Sequence, residues 1–530
     1  MVMPRSRAVL IPLLVTLITG AAGALAPSAL ASGSQEAIFQ DDVQLLANPV
    51  GTLHTMRDLG VTRVRVGLYW YRIAPHGNSR RRPSGFNASD PNARGYNWGV
   101  YDQIVRQARA DGIQVYALVT GPAPLWAAGS GQPRGGPYGQ WKPSSGEFGA
   151  FVRAAGARYS GSSRPSRNSS SLPRISFWSI WNEPNYGIDL APQATNGDTI
   201  EVSAPEYRGL VDAAWSGLSA SGHGRDTILF GETAPRGKNH PIGNFSGVKP
   251  LRFLRALYCV DGNYRPLRGS AASSRGCPTS SSGSRRFRSA HPALFNASGF
   301  AAHPYVQGFA PNLSTYECGS QVCASSSRSD PEYADLAQLP RLGRVLDRLN
   351  RVYGSGRQFP IWNTEYGYWT NPPLRAAQIN PSTAAFYINW AEYISWRNPR
   401  LRSYDQYLLV DPPKNNFASG LVFKNGSHKP GYDAYRLPIM LPSTSTRRGR
   451  SLEVWGCARP AHFGGSQQVA IQLQRGSRGG FQTVRTVAIT NSRGYFDVRQ
   501  AFSASGTVRL EWRDDRGKAV HSRSVKISVR

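Results

Sequence analysis

Two glutamates in this chain of 530 residues each end an apolar run, a setting that invites chemistry. The run Ile175 to Trp181 is β-branched and aromatic and stops at Asn182-Glu183-Pro184-Asn185. A second run, Phe359 to Thr364, stops at Glu365, with Tyr366, Tyr368 and Trp369 behind it. A carboxylate at the mouth of an apolar strand is poorly solvated unless that mouth opens on a polar cleft, so use explains these positions better than stability does. Two carboxyls on one face can divide the breaking of a glycosidic bond, one protonating the leaving oxygen and the other attacking the sugar. A polar strand end before an ordinary turn is the competing explanation of either motif alone; the repeat of the same design weighs against it.

Such a pair needs a frame that brings two distant strand ends together. Between residues 37 and 437, eight strand-like runs alternate with helical patterns, as parallel βα units do. They lie near Ala37 to Asp41, Thr62 to Tyr69, Ile113 to Thr120, Ile175 to Asn182, Thr227 to Glu232, Gly299 to His303, Pro360 to Glu365 and Arg402 to Val410. Val100 to Ala108 and Leu336 to Val352 carry apolar residues at helical spacing, with Gly112 and Gly354 as stops. Eight units predict a closed α/β (β/α)8 barrel with its active site at the C-terminal ends of the strands. Glu183, Glu365, Glu232 and His303 meet that condition, as do Trp70, Trp126 and Tyr407. Trp70, Trp126 and Trp369 are candidate platforms for a sugar ring, although core packing is the commoner fate of a single tryptophan. Arg65, inside the second strand, points into the barrel, where it must be paired. Glu232 is a candidate substrate ligand and the chief rival for the catalytic pair.

Asn182-Glu183-Pro184, Thr364-Glu365, Phe300-Ala301-Ala302-His303-Pro304-Tyr305 and Lys429-Pro430-Gly431-Tyr432 together resemble the large clan of retaining glycoside hydrolases built on the (β/α)8 barrel. Families 39 and 5 are both similar. The resemblance spans most of residues 37 to 437, and its motifs are specific to the clan and silent about substrate. It implies an O-glycosyl hydrolase acting on a polysaccharide or oligosaccharide, with Glu183 as acid/base and Glu365 as nucleophile. It further implies that Asn182 touches the sugar 2-hydroxyl, Tyr305 donates to the nucleophile, His303 lines the subsite and Arg65 braces Glu365. A transglycosylase using the same site, and a carbohydrate- or wall-binding protein without activity, are the alternatives. No cofactor or metal is expected, since no cysteine spacing resembles a zinc site and no His-Glu-x-x-His occurs.

Arg5 and Arg7 precede the apolar segment Ala8 to Ile18, and Ala29-Leu30-Ala31 follows: a secretory leader over residues 1–31, cut after Ala31, and hence an extracellular protein. No later run is long and apolar enough to suggest membrane insertion. The net charge is +30, but only eight of the 62 basic residues are lysine and the arginines are scattered, unlike a nucleic-acid module. Weak association with an anionic polymer or cell wall is the partner this charge suggests. Five cysteines predict two local disulfides, Cys259 with Cys277 and Cys318 with Cys323, bracing loops on the active-site side, and leave Cys457 as a buried thiol. Long Gly-, Ser- and Arg-rich insertions follow several strands, where loops set specificity. The barrel is expected over 32–437, a linker over 438–450 and an antiparallel β-sandwich over 451–530, its Trp455 and Trp512 read as packing residues.

Overall fold

Eight short runs rich in β-branched and aromatic residues form parallel strands: β1 Glu36–Gln40, β2 Arg63–Tyr69, β3 Gln114–Thr120, β4 Phe177–Ile180, β5 Thr227–Thr233, β6 Gly299–Ala302, β7 Ile361–Asn363 and β8 Ser403–Tyr407. The structure is a computed structural model that describes residues 35–133, 139–197, 199–238, 243–414, 416–459, 467–476, 479–514 and 516–530. The leader expected over 1–31 lies outside them. The strands follow the order β7-β6-β5-β4-β3-β2-β1-β8 in one sheet. It closes where Ile361 N donates to Arg400 O and Arg402 N to Ile361 O, both at 2.9 Å. This is the (β/α)8 barrel that the alternation predicts, and the expected strands differ from it only at their ends. The eighth stops at Tyr407 because Leu408 turns left-handed, φ 73°.

Strands covered on both faces must fill the barrel's inside as well as its outside. Ile38, Tyr116, Phe177, Leu229, Ala301 and Trp362 make an apolar layer in the interior. Arg63 lies over the Phe177 ring at 4.4 Å and pairs with Glu36 at 2.6 Å, closing the barrel's N-terminal end. Polar side chains occupy the interior towards the other end, as described below.

After the barrel, Ile439–Met440, Ser451–Cys457 and Tyr495–Ala501 form one antiparallel sheet. Gln467–Gln474, Gln482–Ile489, Gly506–Arg513, Ala519–His521 and Val525–Val529 form the other, joined by Ser445–Thr446. The two sandwich a core of Val454, Ile471, Leu473, Phe496, Leu510, Trp512 and Ile527. The stretch expected as a linker therefore carries two short strands. The sandwich meets the barrel on helix Pro381–Trp396, where Phe386, Trp390, Tyr393 and Trp396 pack on Met440, Trp455, Cys457 and Tyr495. Beside that apolar seam, Arg459 Nη2 donates to both oxygens of Glu392 at 2.8 Å, and the Tyr495 hydroxyl adds a third bond at 2.8 Å.

Both expected disulfides form, and Cys457 is free and buried, its thiol pushed up to about 12, foremost by burial. Only Cys318–Cys323 braces an active-site-side loop, tying hairpin Ser314–Cys318 to Gln321–Ser325. Cys259 follows helix Pro250–Leu257 rather than β5 itself, so its bridge staples the return path towards β6. Among the described residues no helix is long and apolar enough to cross a membrane.

Removing Arg459 should strand a buried carboxylate. Arg459→Met is expected to cost about 3–5 kcal/mol in chemical denaturation, and adding Glu392→Leu should recover most of the loss.

Candidate active site

The candidate residues gather around one guanidinium. Arg65, wholly buried on β2, sends Nη1 to Glu365 Oε2 at 3.0 Å and also to Gln40. Its Nη2 donates to Glu232 Oε2 at 3.0 Å and to Asn182 Oδ1 at 3.1 Å. His303, after β6, spans the gap between the acids: Nε2 lies 2.8 Å from Glu232 Oε2 and Nδ1 lies 2.9 Å from Glu183 Oε1. The Tyr305 hydroxyl donates to Glu365 Oε1 at 2.9 Å.

Local backbone geometry aims these groups. Pairing of β5 with β6 slips between Gly231 and Thr233, a bulge that leaves Glu232 unpaired and turns its carboxylate inward. Glu232 takes φ 47°, and Gly231 takes φ 110° with the Ala301 carbonyl 2.6 Å from where a Cβ would stand. After β4, Trp181 and Glu183 take φ 63° and 32°. Left-handed residues of this kind cost about 1–3 kcal/mol each and persist only where packing imposes them. Here the Trp181 ring is sealed against Phe148, and Asn185 bonds Ala234 N, Ala234 O and Val248 O, locking the turn to the loop after β5.

Burial raises the Glu232 carboxyl, but Arg65 and His303 overcome it and hold the group far below the ordinary carboxylate range. Tyr116, Ser179 and Thr364 hydroxyls also donate to it. Burial likewise works against charge on His303; Glu365, Glu183 and Glu232 together push it up to about 10, so it is an imidazolium at neutral pH. Glu365 is raised, by burial first and Glu183 after it, while His303, Arg65 and Tyr305 pull the other way. Asp405 on β8 is fully buried, and burial raises its carboxyl well above the usual range, with Arg65 opposing.

A cavity of about 750 Å³ opens over this cluster, within the ordinary size range of ligand sites. Glu183, Glu365, Tyr305, Trp369 and Phe417 line one part of it, and Tyr186, Arg236, Phe245 and the 317–322 hairpin line the rest. Of the proposed platforms only Trp369 reaches it. Trp70 is 1% exposed, packed among Phe148, Phe151 and Trp126; Trp126 is held by Pro75 O and by Phe86. Both belong to the packing of the loops beyond β2 and β3. Glu232 and His303 are sealed beneath the cavity, so they meet other protein groups where contact with a ligand was expected. Tyr407 packs against Phe417, behind the wall. Tyr186, Arg236, Phe245 and Phe417 are wall residues that sequence reasoning missed; Phe417 sits on a loop after β8 whose pattern gave no signal. Ser179, Tyr116, Gln40 and Asp405 were also missed, although polar residues within otherwise apolar strands mark inward positions.

No protein-family model matches the sequence, and no curated protein does. Solved structures to which the chain is similar include a family 39 glycoside hydrolase from the gut symbiont Bacteroides cellulosilyticus WH2 (14% identity, 89% of this chain and 79% of that chain covered, TM-score 0.46). Others are a glucosidase from Croceicoccus marinus (10%, 85% and 89%, 0.43) and AbfB, a family 51 α-L-arabinofuranosidase from Bifidobacterium longum (12%, 95% and 95%, 0.39).

His303 binds its proton more tightly folded than unfolded, so its contribution to stability is complete below about pH 6.5 and is lost as pH rises through about 10. The stability gap between the native protein and His303→Gln should follow that curve in denaturation experiments across pH 6 to 10.5; a constant gap would mean that the ring is neutral.

Proposed function

We propose that the protein is a secreted glycoside hydrolase that cleaves O-glycosidic bonds of a polysaccharide or oligosaccharide with retention, by double displacement. The observation that carries this reading is a distance: the nearest oxygens of Glu183 and Glu365 stand within 4.8 Å of each other at the floor of the cavity. Retaining pairs stand about 5–5.5 Å apart and inverting pairs about 6.5–9.5 Å, because only the latter must admit a water between them. Both carboxyls face the cavity, whereas Glu232, the rival, does not. Secretion is supported by the leader-like N-terminal sequence and by two disulfides.

Glu365 is the nucleophile. Two fixed cations and the Tyr305 hydroxyl stabilise it as a carboxylate and orient its free lone pairs towards the sugar. Glu183 gives its proton to the leaving oxygen. Once Glu365 is esterified, the Glu183 carboxylate takes a proton from the water that attacks the same carbon and releases Glu365. Asn182, fixed between Arg65 and Asp189, is in place to hold the sugar 2-hydroxyl beside the reacting carbon. Trp369 and Phe417 offer faces to an adjoining ring.

A panel of aryl glycosides and polysaccharides, with the product anomer read by NMR, tests the whole reading; inversion would sink it. Glu365→Gln should bring turnover below detection. Glu183→Gln should slow natural substrates by roughly 10²–10⁴-fold while sparing aryl glycosides whose leaving groups need no proton.

The pH profile supplies a separate check. A nucleophile must be ionised, so activity is lost as pH falls through the raised pKa of Glu365, and the acid limb of kcat/KM should lie above 4.5. Arg65→Met removes a positive charge from beside it and should move that limb to higher pH.

A further inference from the structure

Away from the two glutamates, the cavity wall carries a cation that no carboxylate of the described residues contacts. Arg236 stands three residues beyond β5 and lines the cavity that Glu183 and Glu365 share. Its one hydrogen bond is long, Nη1 to Thr315 Oγ1 at 3.5 Å, and it makes no ion pair among the described residues. Among the described residues its Nε and Nη2 carry no hydrogen bond, and neither atom is sealed from solvent. Buried Arg158 is matched by Asp102, and half-buried Arg400 and Arg255 by Asp347 and Glu332; half-buried Arg341 and Arg523 have no ion pair among the described residues but give two hydrogen bonds each to neutral acceptors.

The acids nearby do not complete it. Asp335, the nearest charge to Arg236, receives Thr315 N and Oγ1 on Oδ2 at 2.8 and 2.7 Å while its Oδ1 is buried without a hydrogen bond; burial raises its carboxyl above the ordinary range, with Arg236 opposing, and it stands outside ion-pair distance of the guanidinium. Glu317, on the same wall, is 3.7 Å from Lys249. Lys238, exposed and lining the same cavity, adds a second positive charge. Burial lowers the Arg236 guanidinium, with Asp335 opposing, as expected of a cation partly stripped of water and still short of an anion. A guanidinium held half-buried, with open donors facing a ligand cavity, is matched in shape by a planar or tetrahedral oxyanion.

We propose that Arg236, with Lys238 beside it, receives an oxyanion carried by the glycan, either the carboxylate of a uronic acid or a sulfate ester, in a subsite of the cavity adjoining the scissile bond. The proposal rests on the glycosidase reading and narrows its substrate class to acidic glycans. The charge of the site agrees. The negative charges of Glu365 and Glu232 are balanced by Arg65 and the His303 imidazolium, so an anionic ligand meets no net repulsion from them. The chain's net charge of +30 brings polyanions towards it.

Binding without turnover separates this inference from the mechanism. Glu365→Gln, and the same protein carrying Arg236→Met, are titrated calorimetrically with oligogalacturonate, oligoglucuronate and their methyl esters, and with a sulfated galactan oligosaccharide and its desulfated form. At least one anionic member should bind about ten-fold more tightly than its neutral counterpart, ~1.4 kcal/mol, and Arg236→Met should remove most of that preference. Preference for a uronate over its ester assigns the carboxylate; preference for the sulfated galactan assigns the sulfate. Equal affinity for charged and neutral members overturns the proposal. So does a preference that survives Arg236→Met, which would belong to the general surface charge. If the anionic glycan binds through Arg236 but the native enzyme hydrolyses none of the panel, the glycosidase reading fails and the oxyanion subsite stands.

Discussion

Burying a guanidinium inside a barrel is the constraint on which this site depends. Arg65 has no solvent, so its charge is tolerable only because Glu365, Glu232, Asn182 and Gln40 surround it. Each partner comes from a different strand, and a displaced strand would leave an ion unpaired in a medium of low dielectric. The network thus punishes misplacement of the very groups that chemistry needs held to fractions of an ångström. His303 extends the logic: as an imidazolium clasped by Glu232 below, it presents Nδ1–H to Glu183 above. Glu232 acts through that ring and through Arg65, which makes it a positioning residue.

The backbone meets this demand at three awkward residues. Trp181, Glu183 and Glu232 all adopt left-handed φ, two at the end of β4 and one in the bulge of β5. None is a glycine, so each conformation is imposed by surroundings: the sealed Trp181 ring, the Asn185 clamp, the close approach of β6 to Gly231. Two of them stand where the chain leaves β4 and the third in the bulge near the end of β5, beside the carboxyl cluster in each case.

This arrangement also explains what the sequence could and could not reveal. Glu183 and Glu365 were legible because a charged residue closing an apolar strand is conspicuous in one dimension, and Arg65 because a cation set between Val64 and Val66 inside such a strand has to be paired. The barrel was legible from period and alternation. Glu232 was equally conspicuous, but a one-residue bulge decided that it would face the barrel interior and not the cavity, and no residue pattern announces that slip. Trp70 and Trp126 show the complementary failure: a ring just past a strand end can pack inward or stand in a cleft, and Phe148, Phe151 and Phe86, remote in sequence, settled the choice. Phe417 and Arg236 lie on loops without periodicity, where contacts are determined entirely by tertiary packing.

The appended sandwich completes the division of labour by the end of the barrel it does not touch. Its contacts run along helix Pro381–Trp396 and to the N-terminal end of β1, where Arg493 reaches Glu36 at 2.6 Å beside the Glu36–Arg63 pair. Trp455 and Trp512, the rings that a sugar-binding module would expose, are instead spent on the seam and on the sandwich core. The C-terminal ends of the strands are left to the loops alone. There the disulfide-bridged hairpin 314–325, Arg236 and the Trp369–Phe417 pair form the walls, while the buried charges beneath them are shared with no other part of the fold. Change in the walls can then alter what the cavity admits without disturbing the ion network that holds the two carboxyls, and under the proposed function specificity is free to vary over a fixed floor.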